Sequence, residues 1–277
     1  MSGAVEIVKM SGAGNDFIVV GPEQRDAIGA DRREWIRRIC RRRLSIGADG
    51  VLFVRSTGRD RVEVIFHNPD GSEAFCGNGS RCAARFAHSY GLAASPMILE
   101  TATGEVAASL EGDTVRLRLP APVDLGAMPL DPSDNSVSGY FVRAGVPHFV
   151  ILDAPLGPEA LSRWGPRIRR DARFGPDGTN FDLVTRTDPD RLDLRTWERG
   201  VEGETLSCGS GAVAAAFAAR LDGGAATLRV VPASGIPLTV DLPGPPHAPE
   251  AAVLTGDARF LFSAVVNDEA TRGFPDR

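Results

Sequence analysis

The pattern of apolar and polar positions divides the chain into many short strands and a few helices. Residues 5–10 alternate like a half-buried strand, and the turn Ser11-Gly12-Ala13-Gly14-Asn15-Asp16 hands on to the continuous apolar run Phe17-Ile18-Val19-Val20. Residues 31–43 read as a helix, with Asp31 as N-cap and Glu34 three positions on as its capping-box partner. Gly47-Ala48-Asp49-Gly50 leads into the strand Val51-Leu52-Phe53-Val54. Val62, Val64 and Phe66 then alternate with polar residues up to the turn His67-Asn68-Pro69-Asp70-Gly71. Strands return at 97–102, 105–110 and 115–119, with Gly112-Asp113 turning between the last two.

Two stretches interrupt this pattern in the same way. Phe75-Cys76-Gly77-Asn78-Gly79-Ser80-Arg81 and Leu206-Ser207-Cys208-Gly209-Ser210-Gly211-Ala212 each set a cysteine in a small-residue loop that runs into an alanine-rich helix. A helix start offers backbone N–H groups and the positive end of the dipole, which suits a carboxylate or phosphate. The same setting favours a thiolate and lowers a cysteine pKa from ~8.5 toward about 3.5–7.5. A lone loop of this kind is commonly a structural helix start. A pair carrying one CGxG pattern points to two thiols facing one small anionic ligand.

The rest of the chain repeats around that pair. Gly14 and Gly145, Gly47 and Gly178, Phe66 and Trp197, and Gly104 and Gly235 each stand 131 positions apart, and Cys76 and Cys208 stand 132 apart. The order of elements persists although side-chain identity is weak. This is an internal duplication of two domain-sized halves. Pro120, Pro122, Pro129 and Pro132 mark the boundary. We assign 1–121 with 257–277 to a half carrying Cys76, and 122–256 to a half carrying Cys208. The strand around Phe260-Leu261-Phe262 has no counterpart at the end of the first half, so it crosses back to that half.

Composition narrows the chemistry. The chain has 277 residues and a net charge of −5, which gives no reason to expect nucleic acid. The arginine runs at 32–33, 37–38 and 41–43 flank Ile36, Ile39 and Leu44 and read as a solvated helix face. No signal-peptide pattern and no apolar run near the ~20 residues of a membrane span is present. The four cysteines, Cys40, Cys76, Cys82 and Cys208, form no C-x-x-C and stand far from the histidines. A structural zinc site is therefore not expected, and free thiols point to a reducing cytoplasm. Lys9 is the single lysine, at the end of a first strand with no phosphate loop beside it, which argues against a pyridoxal Schiff base.

Duplicated halves related by a pseudo-twofold axis would place Cys76 and Cys208 on opposite sides of a bound molecule. A carboxylate held by N–H groups of both helix starts would then set its α-carbon between two sulfurs. One thiolate takes a proton from one face and the other thiol returns one to the opposite face, with no metal or organic cofactor. Asn15, Asn68 and Asn180 fall at strand–turn junctions, where an Asn more often serves the backbone than a ligand. Arg199 suits a bidentate grip on a second carboxylate and Glu198 a substrate ammonium, although the pair also reads as a solvated ion pair. His148 is placed to orient a thiol or assist proton transfer. Cys40 and Cys82 read as packing.

Four motifs then carry a resemblance. Lys9-Met10-Ser11-Gly12-Ala13-Gly14-Asn15-Asp16-Phe17, Asn68-Pro69-Asp70-Gly71-Ser72-Glu73, Cys76-Gly77-Asn78-Gly79-Ser80-Arg81-Cys82, and Glu198-Arg199-Gly200 through Gly203-Glu204-Thr205 to Cys208-Gly209-Ser210-Gly211 resemble the diaminopimelate epimerase family, in order along essentially the whole chain. The resemblance implies an α+β fold of two pseudo-symmetric domains, each a curved, mostly antiparallel sheet around a central helix. It implies a cofactor-independent isomerase that converts LL-diaminopimelate to the meso form for lysine and peptidoglycan synthesis, working as a homodimer. Cys76 and Cys208 would transfer protons, and Gly77, Asn78, Gly209 and Ser210 would hold the reacting carboxylate. Asn15, Asn68, Asn180 and Arg199 would recognise the substrate, with Glu198 and His148 assisting. Ser11, Gly50 and Val146 depart from residues common in the family (His, Gln and Asn), and the last two bear on the substrate more than on the reaction. A racemase of another amino acid, such as histidine, remains the alternative on this scaffold. A thiol redox or amino-acid-binding protein without turnover is the alternative from another class.

Overall fold

The computed structural model describes residues 4–25, 27–29, 31–154, 156–157 and 159–272. They form two compact units. One holds the described residues up to Leu117 and from Asp257 on, the other Arg118–Gly256.

In the first unit β1 (Val5–Gly12) pairs antiparallel with β2 (Asn15–Val20), Val8 opposite Val19. The crossover helix α1 (Arg32–Ile39) returns the chain to β3 (Gly50–Gly58), parallel to β2 with Phe17 opposite Gly50. β4 (Arg61–His67) pairs antiparallel with β3, and the two-residue β5 (Glu73–Ala74) folds back on its end. The helix α2 (Gly77–Ser89) follows, then β6 (Met97–Thr101), parallel to β4, and β7 (Gly104–Glu111), antiparallel to β6. β8 (Thr114–Leu119) runs out of the unit.

The apolar runs explain the layering. A strand read as continuously apolar is buried on both faces. Ile18, Val20, Val51 and Phe53 point one way and pack with Ile36 and Ile39 of α1. Phe17 and Leu52 point the other way, under the first turn of α2. α1 is shorter than the expected 31–43. Gly47 N–H bonds to Ile39 O and Ala48 N–H to Cys40 O, so the chain must turn back after Ile39, and Arg43 takes a left-handed φ of 71°. Its arginines are solvated only in part: Arg33 and Arg37 are exposed and Arg37 and Arg38 pair with Glu34, whereas Arg32 lies over the Phe53 ring with its Nε buried.

The second unit repeats these pairings. β9 (Val123–Asp131) and β10 (Asp134–Ala144) pair antiparallel, and β11 (Val146–Leu152) joins β10. The helix α3 (Ala160–Ile168) crosses to β12 (Asn180–Asp188), parallel to β11 with His148 opposite Asn180. β13 (Arg191–Glu198) and β14 (Gly203–Thr205) follow, antiparallel in turn. Then come α4 (Gly209–Leu221), β15 (Thr227–Pro232), parallel to β13, β16 (Leu238–Asp241) and β17 (Ala252–Asp257). The last strand, β18 (Arg259–Val266), pairs with β1, Val5 opposite Val266, and so holds the place on β1 that β9 holds on β10.

Each unit is thus a mostly antiparallel sheet around one buried helix, α2 or α4, in an α+β fold of two like halves. The glycine spacing has a backbone cause: Gly14 and Gly145, Gly47 and Gly178, and Gly104 and Gly235 all have positive φ, where a side chain is strained. The helix α3 carries Pro166 within it. Gly165 seats α3 flat on Trp197, whose Cδ2 would stand 2.5 Å from a Cβ there.

Candidate active site

In the first unit Cys76 is the N-cap of α2, and its Sγ accepts from Gly79 N–H at 3.4 Å. The extended Cys76 backbone (φ −138°) turns the chain into the helix, so Gly77 and Asn78 open the first turn. Asn15 opens β2 beside that turn. Asn78 Nδ2 donates to Asn15 Oδ1 at 2.6 Å, and Asn15 Nδ2 donates to Asp49 Oδ2 at 3.0 Å. Behind Asn78 lies Arg81, wholly buried, which donates to Asn78 Oδ1 at 2.8 Å and to Asp257 O at 3.2 Å. Asp257 also accepts Ala13 N–H at 2.7 Å. Asn68 is in the turn after β4 and gives its amide to Ser72 Oγ at 3.1 Å.

The second unit builds the same cap on a different floor. Cys208 is the N-cap of α4, its Sγ accepting from Gly211 N–H at 3.4 Å, with Gly209 and Ser210 opening the turn. Strand alternation sorts what lies beneath. Phe149, Ile151 and Phe181 pack with α3 residues Leu161 and Ile168, and Trp197 joins them. His148, Asp182 and Thr196 therefore point to the opposite face, under α4. A Cβ on Gly211 would stand 3.0 Å from Asp182 Oδ1 and from Thr196 Oγ1. Ser210 Oγ is 3.4 Å from Cys208 Sγ and 3.0 Å from His148 Nε2. Asn180 Nδ2 approaches His148 Nε2 at 3.3 Å, and Asn180 Oδ1 accepts Arg199 N–H at 2.7 Å. Glu198 ends β13.

The structure thus gathers Cys76, Gly77, Asn78 and Asn15 at one helix start, and Cys208, Gly209, Ser210, His148 and Asn180 at the other, with Asn180 also bonded to the Arg199 backbone. Asn68 spends its amide within its own turn. Asp182, Thr196, Asp49 and Arg81 belong to these networks although the motifs do not single them out. Asp182 had a signal: an acid inside the apolar strand Phe181-Asp182-Leu183-Val184 needs a buried partner.

The electrostatics correct one expectation. Burial pushes the Cys208 thiol well above its ordinary value, and the Glu198 and Asp182 carboxylates add to this. The bonds from Ser210 and Gly211 N–H oppose the shift without cancelling it. A helix start alone does not make this thiol acidic, because the cap is buried. Cys40 and Cys82 are also buried, which pushes both up to about 12, in keeping with a packing role. Position 50 has no room for a longer side chain: a Cβ there would lie 2.3 Å from Phe66 Cε2 and 2.5 Å from His67 O. Lys9 is buried against Asp16 at 2.6 Å and donates to Gly47 O. All four cysteines are free thiols. Among the described residues no helix is long and apolar enough to cross a membrane, and no three His, Cys, Asp or Glu side chains cluster as a metal site.

Comparison with known proteins bears on this arrangement. A family model described as diaminopimelate epimerase matches residues 7–126 and 140–261. The diaminopimelate epimerase of Aquifex aeolicus is 33% identical over 278 residues, covering 96% of this chain and 99% of the relative. That of Hydrogenobaculum is 37% identical over 231 residues, covering 78% and 83%. Among solved structures, a probable proline racemase from Agrobacterium radiobacter with bound carbonate superposes with a TM-score of 0.68 at 18% identity, covering 95% of this chain and 93% of that one.

Proposed function

The chain belongs to the diaminopimelate epimerase family and is an isomerase, and on that premise we propose that it converts LL-2,6-diaminopimelate to the meso form with its own thiols alone. The observation that carries this reading is the repeated cap: in each unit a cysteine sulfur sits 3.4 Å from a first-turn N–H of a buried helix.

The substrate's reacting carboxylate binds the backbone at Gly77, Asn78, Gly209 and Ser210, where helix N–H groups and dipoles favour an anion. One thiolate takes the α-proton, breaking the C–H bond and forming S–H. Negative charge spreads onto the carboxylate, which helix N–H groups stabilise. The second thiol then delivers its proton to the opposite face of the carbon. Neither step needs pyridoxal phosphate or a metal. Asn15, Asn68, Asn180 and Arg199 recognise the substrate, and Glu198 and His148 assist near the reacting amine and the thiols. The product supplies lysine and peptidoglycan precursor synthesis. Dependence on two reduced cysteines fits the cytoplasm. The exposed apolar side chains Phe260, Leu261, Phe262 and Val265 on β18 support a homodimer.

Proton NMR in D2O tests the reading. LL-diaminopimelate with the reduced, pyridoxal-free protein loses an α-proton signal, and chiral chromatography shows meso product. Exchange with histidine and none with diaminopimelate moves the substrate assignment. No exchange with any amino acid, in folded and reduced protein, rejects the reading.

A further inference from the structure

Asp182 is a buried group that the reaction above leaves without a task. Neither it nor His148 exposes any side-chain surface. Its Oδ2 lies 2.6 Å from His148 Nδ1, and its Oδ1 accepts Thr196 Oγ1–H at 2.6 Å. A carboxylate oxygen at Nδ1 puts the imidazole proton on that nitrogen and leaves the Nε2 lone pair as an acceptor. Two donors meet that lone pair, Ser210 Oγ–H at 3.0 Å and Asn180 Nδ2–H at 3.3 Å. The Asn180 amide is oriented for this, because its oxygen is taken by Arg199 N–H and its nitrogen also donates to Pro147 O at 3.3 Å. Ser210 Oγ in turn touches Cys208 Sγ at 3.4 Å.

We propose that Cys208, Ser210, His148 and Asp182 form a proton relay that empties and refills the Cys208 thiol, with Asp182 as its positioning residue and Thr196 holding Asp182. The Cys208 S–H proton passes to Ser210 Oγ as the Ser210 O–H proton passes to His148 Nε2. The result is a thiolate, an intact serine hydroxyl, and an imidazolium bonded through Nδ1–H to Asp182. The reverse transfer restores the thiol. The charged groups that act on the sulfur come from two strands, Asp182 on β12 and Glu198 on β13, and His148 on β11 reaches it through Ser210. Ser210 and Gly211 N–H come from its own cap. Burial and the two carboxylates hold the proton on sulfur, so a thiol meant to act as a base needs a place to send it. The reaction proposed above gives the relay its purpose, but the relay is measurable without substrate.

The test is the rate of iodoacetamide labelling at each cysteine against pH, read by mass spectrometry on the substrate-free full chain. In Asp182→Asn the pH of half-maximal Cys208 labelling rises by about one unit or more, because the imidazolium loses a carboxylate 2.6 Å away, and this outweighs the relief of the weaker repulsion between Asp182 and the thiolate. At a fixed pH near 8 that is roughly a tenfold slower reaction. Cys76, in the other unit, is the internal reference and keeps its profile, and Cys40 and Cys82 stay unlabelled. Ser210→Ala, which leaves Asp182 untouched, shifts Cys208 the same way, and Thr196→Val shifts it less. Nitrogen-15 NMR of the imidazoles places the His148 proton on Nδ1 in the wild type. If Cys208 takes no label in either protein, that tautomer decides. A Cys208 profile unmoved in Asp182→Asn and Ser210→Ala, an equal shift at Cys76, or a His148 proton on Nε2 overturns the relay. None of these readouts depends on α-proton exchange, so the relay and the epimerase reading fail separately.

Discussion

The two cysteine caps share a backbone and differ in what lies beneath them. Cys76 and Cys208 have nearly the same extended φ and ψ, and each accepts from the glycine three residues on. Under Gly79 the nearest atoms outside the cap are Leu52 Cδ2 and Phe17 Cε1; under Gly211 they are Asp182 Oδ1 and Thr196 Oγ1. Duplication therefore preserved the anion-binding helix start while the floor diverged. The helix turn capped by half-buried Cys76 rests on apolar side chains, and the turn capped by buried Cys208 rests on a carboxyl that reaches His148. A helix start is a generic device for holding a carboxylate, whereas the two floors give the two caps different chemical surroundings.

The largest effect tests what the caps share. Serine is a good N-cap and retains a hydrogen-bonding side chain, so Cys76→Ser and Cys208→Ser each keep the fold and its melting temperature. Turnover falls by at least about 10²–10⁴-fold in either, since a hydroxyl is a far weaker base than a thiolate. The check is α-proton exchange beside thermal unfolding. Substantial turnover in one variant means that a single thiol suffices and breaks the symmetry of the reading.

A middle-sized effect sharpens the difference between the floors. Gly211→Ala sets a methyl 3.0 Å from two buried, mutually bonded oxygens and 3.2 Å from Cys208 Cβ, none of which can yield without breaking the Asp182–Thr196 bond. A loss of about 1–3 kcal/mol is expected, as for an overpacked core. Gly79→Ala meets Leu52 Cδ2 at 3.3 Å and ordinary contacts at 3.5 Å, and alanine's better helix propensity offsets the crowding. Its change stays under about 1 kcal/mol. Urea midpoints at unchanged slope measure both, and equal costs would mean that the floors do not differ mechanically.

The contrast also explains what was legible in the sequence. The duplication showed through because its glycines occupy left-handed positions, where replacement carries a strain penalty, so spacing outlasted side-chain identity. The caps showed through because CGxG combines a thiol with the small residues that a tight helix entry needs. The floor did not. Asp182 and Thr196 sit at alternate positions of strands that otherwise read as apolar, and their meeting under α4 depends on the register of β11, β12 and β13, which no local pattern carries. Arg81 was hidden for a similar reason: an arginine in a helix reads as solvated until the chain's return at Asp257 closes over it. The expectation of an acidic Cys208 failed because burial is a property of the fold, while the helix start is a property of the motif.

The smallest effect concerns the polar rim of the first unit, beside the Cys76 cap. Burial works against the charged form of Asp16, but Arg42 and Lys9 outweigh it and hold the Asp16 carboxyl below its usual value. A carboxyl with a depressed folded-state pKa adds stability above the ordinary carboxylate range of about 3.9, and that stability is lost as pH falls through the folded value. The difference in urea midpoint between the wild type and Asp16→Asn should therefore be full at pH 6 and shrink steadily below about pH 4. It should also weaken in salt, because Arg42 is more than half exposed. A difference that stays constant from pH 6 to pH 3 would mean that Asp16 acts through its shape and hydrogen bonds alone. In that case the ionic rim around Asn15 and Asp49 contributes nothing as charge, and the caps differ in their floors only.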